Sequence, residues 1–181
     1  IEAVYLNDPN PKAAFVTWNP MLMRMRNAKA TTLVFDSSKI PGEIMDLMVV
    51  HASAPDSLKK ALVGAWYEAL AVINRGDKAS EDAIAYMAQA SGATPAEFKA
   101  QLRTTKMFWT PAEAVAFTTA PELKKIMELV RKFSFEAGLM GQGTKSVDQI
   151  GIGFPNGSVL GSAKNVKFKF DPSYMQFAAN G

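Results

Sequence analysis

The stretch that decides the fold is Thr31-Thr-Leu-Val-Phe-Asp-Ser-Ser-Lys-Ile-Pro-Gly-Glu-Ile-Met-Asp-Leu-Met-Val-Val50. It opens on TTLVF, β-branched and apolar, which predicts a strand. Asp36-Ser37-Ser38 and Pro41-Gly42 then interrupt the chain. Ile44 to Val50 (IMDLMVV) is nearly all apolar and predicts a further strand. Upstream, Ala13 to Trp18 (AAFVTW) is a third such run. It ends at Asn19-Pro20, with Asn suited to a helix N-cap and Pro to the first helical position. A short helix over 21–26 is expected there. Apolar runs alternating with helices predict a parallel sheet covered on both faces, and so an α/β fold.

After His51 the pattern becomes helical. Four words have the form of a capping box: Ser53–Asp56, Thr94–Glu97, Thr110–Glu113 and Thr119–Glu122. Leu58, Leu62, Trp66, Leu70 and Ile73 form one stripe of a helix over about 54–74. Leu123, Ile126, Met127, Val130 and Phe133 form another, ending near Gly138. A helix over about 81–90 stops at Gly92. Near the end, Ile150–Leu160 predicts a hairpin turning at Asn156-Gly157. Val166, Phe168 and Phe170 alternate with Lys167 and Lys169, as in a strand with one dry and one wet face.

Composition narrows the chemistry. The chain has 181 residues, 48% hydrophobic and 20% charged, enough to bury a core. Cysteine is absent, which excludes disulfides, thiolate metal sites and thiol nucleophiles. His51 is the one histidine, so a multi-histidine metal site cannot exist. Twenty basic against 17 acidic residues give a net charge of +3, too small and too scattered to indicate nucleic acid. No apolar run is long enough to span a bilayer. Gly138-Leu-Met-Gly-Gln-Gly143 follows a helix rather than a strand and reads as a helix-ending loop, not a phosphate loop. The ten methionines read as core filling.

Polar groups gather where the expected strands end. Trp18 and Asn19 follow one, Asp36, Ser37 and Ser38 the next, and Glu43 and Asp46 flank the Pro-Gly break. In open α/β sheets ligands bind outside the carboxyl ends of the strands. These residues are thus candidates to line a cleft. Equally, Asp36 and Ser37 suit a capped turn and Trp18 a buried position.

VTWNP, LVFDSSKIPGEIMDLMVV and LKKALVGAWYEALAVI together resemble the solute-binding proteins of ABC importers in the nitrate/sulfonate/taurine group. The likeness is greatest to the branch associated with urea or guanidine utilisation. It extends through PAEAVAFT, FSFEAGLMGQG and NVKFKFDPSYMQFAA, over essentially the whole chain, without one diagnostic short motif. The resemblance implies a two-lobe, type II periplasmic-binding-protein-like architecture, incomplete at its front. Residues 1–43 would be the remaining part of the second lobe, 44–50 the return crossing segment, and 51–181 the C-terminal part of the first lobe. Ile1 would be the start of a processed or partial chain, accompanied by an unseen remainder or by other copies.

The same resemblance implies a periplasmic receptor without catalysis or cofactor, closing on a hinge and docking on a membrane permease. The ligand-binding residues would be Trp18, Asn19, Asp36, Ser37, Glu43 and Asp46. For ligand charge the residues point both ways. Trp18 offers a face to a planar cation, and Asp36, Glu43 and Asp46 offer carboxylates to paired N–H groups. Arg24, Arg26, Lys39 and the helix opening at Asn19-Pro20 suit nitrate, a sulfonate or taurine. Three acids and an indole favour guanidine or urea. The thiamine-pyrimidine-synthesis enzymes share the fold, but the histidine and cysteines of that family have one histidine and no cysteine to match here. A regulatory effector domain of similar fold would carry a helix-turn-helix, which is not visible.

Overall fold

The computed structural model describes residues 2–7, 14–28, 31–51 and 53–180. It is a helix-rich mixed α/β structure: α1 Glu2–Asn7, α2 Met21–Ala28, α3 Asp56–Asn74, α4 Lys78–Ala90, α5 Pro95–Thr104, α6 Pro111–Thr119, α7 Pro121–Glu136 and α8 Ser173–Ala179, with strands β1 Gly151–Gly153, β2 Val159–Leu160 and β3 Val166–Lys169. The chain divides into two compact units. One comprises 1–35 and 71–107, the other 36–70 and 108–181.

In the first unit α1 and α2 are tied by Arg24, which donates two hydrogen bonds of 2.7 Å to the two carboxylate oxygens of Glu2. Tyr5 is buried and meets Phe15 edge-on, with ring centroids 5.2 Å apart. α4 and α5 pack against each other. Asp77 caps α4 by accepting from the Ser80 N–H, so the helix begins three residues before the Glu81 start expected from sequence. Its other end closes as a Schellman motif. Ala93 N–H donates to Ala88 C=O and Gly92 N–H to Gln89 C=O, with Gly92 at φ +70°.

In the second unit Leu123 and Met127 of α7 pack with Phe154 and Phe170 in a buried cluster, flanked by Met45, Phe117, Ile126, Val130, Ile152 and Leu160. The sheet order is β2-β1-β3, β1 antiparallel to β2 and parallel to β3. The hairpin turns at Asn156-Gly157 as expected. Gly157 takes φ +79°, and Phe154 N–H donates to Ser158 C=O. α7 ends in a second Schellman motif, Leu139 N–H to Ser134 C=O and Gly138 N–H to Phe135 C=O. α8 packs on α6.

Several expectations are corrected. The runs 14–18, 31–35 and 44–50 belong to no strand, and Ala13 lies outside the described residues. The backbone groups of 31–35 and 44–50 find no ladder partner among the described residues, and Val34 and Val49 are 90% and 82% exposed. β-propensity cannot make a strand without a neighbour to pair and a layer to cover it. Among the described residues, the parallel sheet expected at the front of the chain is not formed. β3 is exposed along its length and only the following Phe170 is buried. On α3 the stripe is deeply buried only at Leu70, with Leu58 and Trp66 exposed; on α7 Phe133 is exposed.

Two of the four capping boxes form, at Thr94–Glu97 and Thr110–Glu113. Thr119 instead donates back to Val115 C=O within α6, leaving Ala120 to cap α7 without a side-chain bond. Ser53 spends its hydroxyl on His51 Nδ1 at 2.7 Å.

Candidate functional site

The residues expected to line a cleft fall in both units. Trp18 and Asn19 belong to the first. The run 14–18 leads into α2, whose Leu22 N–H donates to Trp18 C=O at 2.9 Å. Trp18 is 67% exposed, not buried. Asn19 does not use its side chain to cap α2. Its Nδ2 donates 3.2 Å to Thr104 Oγ1, which itself donates to Gln101 C=O at 2.8 Å. Because the single Thr104 hydroxyl proton goes to Gln101, Thr104 must accept from Asn19. That fixes the amide with its oxygen turned away from Thr104. Asn19 Oδ1 and the neighbouring Thr17 Oγ1 are buried and have no hydrogen-bond partner among the described residues.

Asp36, Ser37, Glu43 and Asp46 belong to the second unit. Asp36 caps a 3-10 turn over Ser37–Lys39, accepting from the Ser38 N–H at 3.0 Å and from the Ser38 hydroxyl. Ile40 N–H donates to Ser37 C=O and Glu43 N–H to Ile40 C=O, so Asp36, Ser37 and Glu43 sit on one compact turn. Gly42 holds that turn against the helices. At φ +84°, a Cβ there would stand 3.0 Å from Ile126 Cδ1 and 3.4 Å from Phe117 Cζ. Only glycine fits both the backbone and the space. Met45 packs onto the buried cluster, while Asp46 beside it is exposed. Ser37 is exposed and Glu43 half-buried. Glu43 and Asp46 make no ion pair among the described residues.

Of the cations expected to favour an anion, Arg24 is already committed to Glu2. That contact raises the Arg24 pKa above its ordinary value and lowers that of Glu2. Arg26 and Lys39 remain exposed. Among the described residues no three His, Asp or Glu side chains gather as a metal site would require, and no helix is long and apolar enough to cross a membrane.

Sequence reasoning missed the Asn19–Thr104 contact. Its partners are 85 residues apart, and no local pattern links them. It also missed Asp77 as a cap, though Asp three residues before Ser80 is a legible N-terminal signal. No family model matches the chain, and neither a curated protein nor a solved structure matches it.

Proposed function

We propose that this chain belongs to the solute-binding component of an ABC importer of the nitrate/sulfonate/taurine group. It captures a small planar, nitrogen-rich solute, guanidine or urea, between two type II lobes and presents it to an inner-membrane permease from the periplasm. The sequence resemblance is the starting point. What supports the ligand class is the unspent chemistry of the expected ligand residues, taken in each unit by itself. Trp18 offers an exposed ring face, and Glu43 and Asp46 carry carboxylates without an ion pair among the described residues. Arg24, a cation that an anionic ligand would have used, is bound to Glu2.

An indole face contributes about 0.5–2 kcal/mol to a planar cation, depending on how much water is excluded. Carboxylates add paired, charge-assisted hydrogen bonds of a geometry that guanidinium matches. Hinge closure then shifts the open–closed equilibrium by the difference in ligand affinity between the two states. Isothermal titration with guanidinium, urea, nitrate and taurine tests this reading. Saturable heat with guanidinium or urea, reduced in Trp18→Ala and Asp46→Asn, is expected. Tight binding of nitrate or taurine with silence for guanidinium overturns the ligand class. Silence for all four overturns the receptor reading.

A further inference from the structure

The charges on α4, α5 and the turn before them are unevenly used. Arg75 contacts Asp77 at 3.3 Å and Lys78 contacts Asp82. Glu81, Lys99 and Arg103 make no ion pair within 4 Å among the described residues, although the Glu81 charge helps to raise the Lys78 pKa. All three line one groove of about 290 Å³ in the first unit, over a floor that includes Ile73, Ile84 and Leu102. Ile84 is buried, and Ile73 and Leu102 are half-buried. Lys99 and Arg103 are four residues apart on α5, hence neighbours on one face. Glu81 comes from the first turn of α4, the other helix of the packed pair. The polar groups of Ser80, also in the lining, are satisfied within the protein. Its hydroxyl donates to Ile73 C=O at 2.6 Å and its N–H to Asp77 Oδ1 at 2.9 Å. The groove therefore offers two cations from one helix, one anion from the other, and an apolar floor.

Its volume lies just below the roughly 300–1,000 Å³ usual for ligand pockets, so a nucleotide or a large cofactor would not fit. A simple hydrocarbon would leave all three charges unused. A simple carboxylate would leave Glu81 unanswered. We propose that this groove binds a small zwitterion with a branched apolar body, a free amino acid of leucine size. The carboxylate faces Lys99 and Arg103, the ammonium faces Glu81, and the side chain covers Ile73, Ile84 and Leu102. The site lies within the first unit and does not depend on the receptor reading. The groove is open and its ion pairs are solvent-exposed, so the affinity is on the order of 1 mM.

Heteronuclear NMR titration of the chain with L-leucine, 4-methylpentanoate and 3-methylbutylamine tests the assignment. L-leucine shifts the amides of Ser80, Ile84, Leu102 and Arg103 saturably. Each single-charge analogue binds roughly two- to fivefold more weakly, the share of one exposed ion pair. Glu81→Gln weakens L-leucine by a similar factor and leaves 4-methylpentanoate unchanged, whereas Arg103→Gln weakens both. If Arg103→Gln loses its dispersed spectrum, Lys99→Gln replaces it. The proposal is overturned if L-leucine produces no saturable shifts at these amides or binds no better than both analogues. It is equally overturned if Glu81→Gln weakens 4-methylpentanoate as much as L-leucine.

Discussion

Arg131 donates from its guanidinium to Asp148 Oδ1 at 2.6 Å, across seventeen residues of chain. The same guanidinium donates to Glu128 at 2.6 Å and to Val147 C=O at 3.2 Å. Its side chain is only 12% exposed. One residue thus fastens the glycine-containing loop after α7 back onto that helix. Arg131→Met keeps most of the apolar stem but removes all three donations. The expected loss is about 1.5–3 kcal/mol, the range for hydrogen bonds involving charged groups. Urea denaturation would measure it. A change below about 0.5 kcal/mol would show that the loop holds its place without Arg131.

The contact also carries a pH dependence. The Arg131 hydrogen bond is the largest cause holding the Glu128 carboxyl below its ordinary 4.5, with the Lys132 contact in support. A carboxyl whose folded pKa is depressed stabilises the fold above its unfolded pKa, and that contribution is lost as pH falls through the folded value. Stability should therefore decline on acidification from about pH 5 downward. Glu128→Gln should flatten the decline. Thermal denaturation of both proteins between neutral pH and pH 3 checks the slope, and parallel curves would exclude Glu128 as its source.

Thr17 presents a buried hydroxyl with no hydrogen-bond partner among the described residues. Replacing it by Val keeps the shape and removes an unsatisfied polar group, whose burial costs about 1–3 kcal/mol. Thr17→Val should leave the protein as stable or more stable by about 1 kcal/mol. A clear fall in the denaturation midpoint would show that the hydroxyl has a partner in solution.

Thr94 and Thr119 make opposite predictions from similar sequence words. Thr94 Oγ1 accepts from the Glu97 N–H, and Glu97 returns a carboxylate to the Thr94 N–H at 2.8 Å. The Thr94 N–H, the largest cause, and the Thr94 hydroxyl, which donates to Glu97 Oε2 at 2.8 Å, hold the Glu97 carboxyl below its ordinary pKa. Thr94→Ala should cost about 1 kcal/mol. Thr119 only bonds back within α6, so Thr119→Ala should fall within about 0.5 kcal/mol of neutral. Equal losses would mean that Thr119 caps α7 after all.

Much of the helical half was legible because its signals are local. Pro after Thr, Glu three residues on, and Gly at the C-terminus act through bonds spanning a few residues, and α5, α6 and the ends of α4 and α7 follow them. The hairpin at Asn156-Gly157 was legible for the same reason. Thr119 shows the limit: its word was right but the preceding helix already held the hydroxyl. Among the expected cleft residues, Asp36 as a turn cap follows from its own sequence. The docking of Asn19 on Thr104 does not, since it joins segments distant in sequence.

The sequence by itself determined where α5 and α6 start, where α4 and α7 stop, which face of α7 is apolar and where the last hairpin turns. Those outcomes depend on hydrogen bonds and periodicities within a single segment. Only the tertiary structure decided that IMDLMVV and TTLVF do not become strands, that Trp66 and Phe133 are exposed on their stripes, and that Arg131 reaches Asp148. A strand, a covered stripe and a long-range ion pair each require a second surface, and no segment carries that information alone.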